Sequence, residues 1–124
     1  MSDILYTKAH SWARTEGEEL LIGVTQYAAE RMGDIIFVEL PDVGADLQAG
    51  QVYGSIESAK AVEDLVSPVT GQVVRVNEAL LDAPETMNED PSGAGWTVAV
   101  AATSAELGET MDEAAYQTYL ASLD

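Results

Sequence analysis

The chain contains no cysteine, and that absence alone excludes disulfides, thiolate nucleophiles and cysteine metal sites. His10 is the only histidine, so a metal cage of several histidines is excluded as well. Basic residues are scarce: Lys8 and Lys60 are the only lysines, and Lys plus Arg number 5 against 22 Asp plus Glu. The formal net charge is −17 and no basic stripe offsets it. Nucleic acid and anionic lipid surfaces both repel such a chain. The longest apolar runs, such as Ile35-Ile36-Phe37-Val38, fall far short of the ~18 residues that cross a bilayer. The start, Met1-Ser2-Asp3-Ile4-Leu5, has no basic segment leading into an apolar one. No signal or transit peptide is therefore expected, and the cytoplasm is the expected compartment.

What is present fits one domain over residues 1–124, too short for two independent cores. A hydrophobic content of 47% is ordinary for a globular protein and argues against disorder despite the charge. Charge of this size keeps a protein soluble and steers it toward basic patches on partners.

Turn signals recur between short apolar runs. Residues 5–6 and 12–13 read as strand pieces followed by a turn at Glu16-Gly17-Glu18, and residues 20–24 as a buried strand. Thr25 offers an N-cap for a helix through Met32, with Gly33 as a left-handed stop. Residues 34–40 read as strand, 42–50 as a loop, and 51–77 as a hairpin, a Ser67-Pro68 turn and a further strand over 72–76. Residues 77–81 suit one helical turn, 82–95 a loop rich in Pro and Gly, and 96–101 a strand. Tyr116, Tyr119, Leu120 and Leu123, at three- and four-residue spacings, predict an amphipathic helix over 112–123 with the two tyrosines facing the core. The expected fold is mainly β, a sandwich or flattened barrel with small helices at its edges.

Lys60 is the most informative residue. Apolar residues lead in (Val52, Ile56) and out (Val62, Leu65, Val66), with small residues around the lysine, so it belongs at the tip of a hairpin. A lysine working as a Schiff-base nucleophile needs its pKa lowered by burial or a nearby cation. Glu57, Glu63 and Asp64 stand near it in sequence and favour the ammonium instead. Covalent modification by a separate enzyme meets no such objection. Lys8, by contrast, reads as lying in a strand-like segment.

The remaining candidates carry less. His10 beside Trp12 reads as packing with one satisfied ring nitrogen. Ser11 and His10 are a weak nucleophile–base pair, since adjacent strand residues point to opposite faces. Asn88, Asp90, Ser92 and Gly93 echo a calcium loop, but Ala99 stands where the bidentate Glu belongs and Pro91 interrupts the loop.

Glu57-Ser58-Ala59-Lys60-Ala61, followed by Ser67-Pro68-Val69-Thr70-Gly71-Gln72-Val73-Val74, resembles the lipoyl-attachment segment of the glycine cleavage system H proteins. The likeness extends through Tyr6-Thr7-Lys8-Ala9-His10-Ser11-Trp12, Ile22-Gly23-Val24-Thr25, the stretch from Gly33 to Pro41, and Gly95-Trp96, in family order. The resemblance implies a hybrid barrel-sandwich of the lipoyl/biotinyl carrier type, with lipoate in amide linkage to Lys60. Glu57, Ala59, Ala61 and Asp64 would form the surroundings of the arm. Biotin carriers have a related fold, but their lysine is usually flanked by methionines; the alanines here favour lipoate.

The family's opening strand helps form the cleft that shelters the loaded arm, which implicates Ala9, His10 and Ser11. The family usually has Glu where Ser11 stands and commonly Ser where Ala9 stands, while Asp64 keeps a carboxylate near the cleft. The resemblance implies a non-catalytic carrier in glycine catabolism. A pyridoxal-phosphate glycine decarboxylase would load its aminomethyl group and a tetrahydrofolate-dependent aminomethyltransferase would collect it. Dihydrolipoamide dehydrogenase would reoxidise the arm, and a lipoate ligase or a lipoyl/octanoyl transferase would attach it. The alternative is a relay passing lipoyl or octanoyl groups to other proteins.

Overall fold

The computed structural model describes residues 4–101, 106–108 and 110–123. Two antiparallel sheets form the frame of the molecule. The larger, of seven strands, runs β1 (Ile4–Tyr6), β2 (Ser11–Glu16), β3 (Glu19–Val24), β9 (Val98–Ala101), β8 (Val69–Val76) and β10 (Glu106–Leu107), with β5 (Asp46–Leu47) also on β8. The smaller has three strands in the order β4 (Ile35–Glu39), β6 (Val52–Ser58) and β7 (Val62–Val66). Short helices α1 (Gln26–Met32), α2 (Ala79–Asp82) and α3 (Thr86–Glu89) and the longer α4 (Glu113–Ala121) complete the fold. The mainly β, sandwich-like architecture agrees with the expectation from sequence.

β8 is the strand on which the large sheet curls. Its first half pairs with β10 and β5, at Thr70 with Glu106 and Gln72 with Asp46, while its second half pairs with β9. Ala13, Ile22, Leu47, Val69, Val73, Val98 and Val100 meet inside this curl. A second core lies under the small sheet, where Val38, Ile56 and Leu65 meet Ala29 and Met32 of α1, Leu80 of α2 and Met87 of α3. Tyr53 packs against both cores. Its buried hydroxyl lies 2.8 Å from Thr97 Oγ1, and Thr97 donates onward to the Ile22 carbonyl, so the phenol is the donor to Thr97. Burial pushes the Tyr53 phenol well above its ordinary pKa, so it stays a neutral donor.

Several expectations need correction. The loop over 42–50 contains β5, whose two residues are held by Gln72 and Gly71 and by nothing local. β8 begins at Val69, three residues before the predicted strand, because β10 pairs its first turn-side residues. The loop over 82–95 contains α3, a single turn after Pro84, anchored by wholly buried Met87. Proline is compatible with the start of a helical turn, so it was misleading as a loop signal. The C-terminal helix is present with Asp112 as N-cap, accepting from Ala115 N at 2.8 Å. Its buried seam is narrower than predicted: Tyr116 is buried, Tyr119 and Leu120 are half-buried, and Leu123 is exposed.

Candidate functional site: a lysine-tipped hairpin beside a cleft

Lys60 sits in the three-residue connection between β6 and β7, flanked by exposed Ala59 and Ala61. Ser58 holds that connection in shape. Its amide donates to the Ala61 carbonyl at 2.8 Å, and its buried hydroxyl oxygen accepts from the amides of Ala61 at 3.1 Å and Lys60 at 3.3 Å. Ser58 was not singled out from sequence, although a serine hydroxyl two residues before a turn tip is a recognised turn device. The backbone under Lys60 is thus fixed while its side chain is exposed. Among the described residues no carboxylate lies within 4.0 Å of its ammonium, so the neighbouring acids surround it without pairing.

The lysine stem runs over Gly33, at the end of α1. A Cβ on Gly33 would stand 3.3 Å from Lys60 Cε and 3.7 Å from Nζ. Gly33 also has φ 75° and ψ −156°, a conformation open essentially to glycine alone and distinct from the left-handed helical stop expected. Asn88 pins this junction from α3. Its side-chain nitrogen donates to the carbonyls of Gly33 (2.7 Å) and Ala29 (3.4 Å), and its oxygen accepts from the Ile35 amide at 2.9 Å. The residue that sequence placed in a calcium-loop echo is instead a clasp.

Along β7 from the hairpin tip, a cleft of about 220 Å³ opens between β7, α1 and the start of β2. Val24, Met32, Ile56 and Leu65 give it apolar walls, while His10, Ser11, Arg31, Glu63 and Asp64 supply polar groups. Ala9, His10, Ser11 and Asp64 all line it. Glu57, Ala59 and Ala61 do not line it; Glu57 lies on the sheet between Phe37 and Val62. Tyr27, Arg31 and Met32 of α1 were missed, although Tyr27, Ala28, Arg31 and Met32 form one face of a readable helix. A larger cavity, about 450 Å³, opens beyond Ala9 and Val66, farther from the tip, and among the described residues no carboxylate lines it.

His10 shows why the cleft wall departs from a simple strand. With φ 65° it is the only described residue other than glycine in the left-handed region, and it closes a turn by donating its amide to the Thr7 carbonyl at 3.0 Å. His10 and Ser11 therefore do not face opposite ways as adjacent strand residues would; both line the cleft. Lys8 lies in this same exposed turn and not in a strand. His10 and Ser11 still do not form a nucleophile–base pair. The Ser11 hydroxyl donates to the Val66 carbonyl at 2.6 Å, and His10 Nδ1 lies 2.8 Å from the Tyr116 hydroxyl.

Tyr116 in turn donates to Thr25 Oγ1 at 2.8 Å, so its oxygen accepts from His10 and Nδ1 carries the imidazole proton. Thr25 is the N-cap of α1, and the chain of bonds therefore ties α4, the His10 turn and α1 together. Tyr27, Tyr116 and Tyr119 surround the imidazole at ring separations of 4.7 to 6.1 Å. Burial, then the charge of Arg31, holds the His10 pKa below 6.5, with Glu63 opposing. Near neutral pH the cleft therefore contains a neutral imidazole, one guanidinium and two carboxylates.

The family described as Glycine cleavage H-protein matches residues 4–123. The chain belongs to that family. It is 53% identical to the glycine cleavage system H protein of Rubrobacter xylanophilus over 79% of this chain and 78% of that protein. Identity to the protein of the same name from Anaeromyxobacter sp. (strain K) is 43%, over 95% of this chain and 93% of the other. The crystal structure of a glycine cleavage system H protein from Mycobacterium marinum superposes with a TM-score of 0.90. It is 38% identical and covers 98% of both chains. Among the described residues no helix is long and apolar enough to cross a membrane, and no three His, Asp or Glu side chains converge to hold a metal.

Proposed function

We propose that this chain is the lipoyl-bearing carrier of glycine cleavage, not itself an enzyme, with lipoate in amide linkage to Lys60. The observation that carries the site is an exposed lysine, free of ion pairs among the described residues, at the tip of a hairpin whose backbone is fixed. The relatives named above all belong to glycine cleavage, which favours that role over a lipoyl relay.

When bound, lipoate supplies the disulfide–dithiol couple that a cysteine-free chain lacks, and with it the atom that receives an aminomethyl group. Ser58 and the β6–β7 pairing hold Lys60 at an exposed hairpin tip, from which the arm can swing out into other active sites. Gly33 leaves room for the lysine stem to lie back toward α1. The cleft residues then receive the far end: Val24, Met32, Ile56 and Leu65 exclude water, and Asp64 and Glu63 can accept hydrogen bonds from a protonated amine. The Ser11 hydroxyl already donates its hydrogen bond to the Val66 carbonyl, so it offers the cargo only acceptor lone pairs. His10, with Nδ1 protonated, has a lone pair left on Nε2.

The partners in this reading are a pyridoxal-phosphate glycine decarboxylase, a tetrahydrofolate-dependent aminomethyltransferase and dihydrolipoamide dehydrogenase. A lipoate ligase or a lipoyl/octanoyl transferase loads the lysine. The net charge of −17 suits partners with basic docking patches.

Both lysines are exposed in turns, so intact-mass measurement after ligase treatment is the deciding test. One lipoyl group per chain is expected, lost in Lys60→Arg and retained in Lys8→Arg. Modification that survives Lys60→Arg overturns the assignment.

A further inference from the structure

Beside the Lys60 hairpin, the three-stranded sheet is irregular. β4 pairs Ile35 with Ser58 and Phe37 with Glu57, so Ile36 is an extra residue opposite β6. A bulge of this kind interrupts the alternation of inward and outward side chains. Ile36 and Phe37 are consequently both turned to solvent, 55% and 54% exposed, before Val38 returns to the core. Across the sheet Phe37 stands opposite Glu57, and Glu57 opposite Val62, which is 64% exposed. Directly paired residues share a face, so Phe37, Glu57 and Val62 form one row next to the turn that carries Lys60. Scattered exposed apolar residues need no explanation, but neighbouring ones with a polar rim mark contact sites.

We propose that Ile36, Phe37 and Val62 are the docking patch for the enzyme that acylates Lys60, in preference to the enzymes that act later at the end of the arm. The inference rests on Lys60 being the attachment site, and its basis is reach. In acylation, deprotonated Nζ attacks the carbonyl of an activated lipoyl or octanoyl donor, an adenylate or a thioester. The C–N bond forms, the bond to phosphate or sulfur breaks, and the nitrogen's proton passes to the enzyme. That active site must close around Nζ itself and so must cover whatever adjoins it. An enzyme acting on the arm's far end can dock anywhere within the arm's length.

Charge adds to the match. Exposed Glu39, Glu57 and Asp64 share the face of the patch, since Glu39 and Asp64 both stand opposite Ser55 and Glu57 lies between Phe37 and Val62, so the complementary surface is an apolar pocket with a basic rim. Glu63 and Asp64 also sit on β7, one of the two outer strands of this sheet, where charged side chains discourage addition of a further strand. Contact through side chains, not strand pairing, is the mode that fits.

The test uses the full chain, a lipoate ligase, lipoate and ATP. The triple variant Ile36→Thr, Phe37→Thr, Val62→Thr places a β-branched residue suited to strands at each exposed position, and unchanged thermal unfolding verifies the fold. The triple variant is expected to raise the KM for the carrier roughly tenfold, with kcat changed by less than about twofold. Driven to complete lipoylation with excess ligase, the same variant should be reduced by dihydrolipoamide dehydrogenase and NADH as fast as the unsubstituted carrier. An unchanged KM, or an equal loss with both enzymes, overturns the proposal. Failure of the unsubstituted chain to be modified at Lys60 would instead remove the attachment reading, and the patch with it.

Discussion

In the seven-stranded sheet Ile22, Val98 and Val100 are wholly buried and Trp12 covers Gly23 across the ladder, whereas in the three-stranded sheet Ile36, Phe37 and Val62 face solvent. The contrast is local, since both sheets contribute fully buried residues to their own cores. The large sheet is closed on both faces around Trp12: a Cβ on Gly23 would lie 2.6 Å from the indole, whose Nε1 donates to the Pro91 carbonyl at 3.0 Å. The small sheet buries one face through Val38, Ile56 and Leu65 and leaves the other, with its lysine-tipped hairpin, open. The buried faces of both sheets supply stability, and the open face of the small one can therefore present apolar side chains and a bare lysine without the fold depending on them.

The largest expected effect sharpens this contrast directly. Trp12→Ala removes a wholly buried side chain and should cost about 3–5 kcal/mol in denaturant unfolding. Phe37→Ala, an aromatic deletion of similar kind in the small sheet, should change stability by less than about 0.5 kcal/mol, as surface substitutions do. Comparable losses in the two variants would break the division of labour.

A middle-sized effect tests the junction on which the presenting sheet rests. Asn88→Ala strips the Gly33 carbonyl and the Ile35 amide of their side-chain partners, and leaving such groups unsatisfied costs about 1–3 kcal/mol. The loss should appear in thermal unfolding and be accompanied by faster amide exchange at Ile35. Full protection of that amide in the variant would show that Asn88 is dispensable as a clasp.

The same division explains how much could be read in advance. α1 was legible because both of its ends are marked locally, by Thr25 and Gly33, and the Lys60 hairpin because small residues separate two apolar runs. β5 and α3 were not legible: two residues on β8 and one turn anchored by Met87 owe their form to contacts far away in sequence. The cleft was half legible. Ala9, His10, Ser11 and Asp64 followed from the resemblance, but nothing local signals that His10 leaves the strand, or that Tyr116, 106 residues later, binds its ring. Phe37 reads as a strand residue, and only the bulge at Ile36 decides that it faces outward.

The smallest effect concerns that imidazole. His10 titrates below 6.5 in the folded chain because it is partly buried and near Arg31, with Glu63 opposing; the rings of Tyr27, Tyr116 and Tyr119 complete its surroundings. A histidine with a depressed folded pKa binds its proton more readily when unfolded. The stability it contributes is present above the unfolded value and is lost as pH falls through the folded one. Unfolding free energy should therefore decline from about pH 6.5 downward, above the range where most carboxylates titrate. Asparagine tolerates left-handed backbone, so His10→Asn removes the titrating ring with little strain at φ 65°. The variant should lack this part of the slope between neutral pH and about pH 5, where ordinary Asp and Glu remain largely ionised. The same slope in both proteins would assign the acid sensitivity to other groups and leave His10 as a passive wall of the cleft.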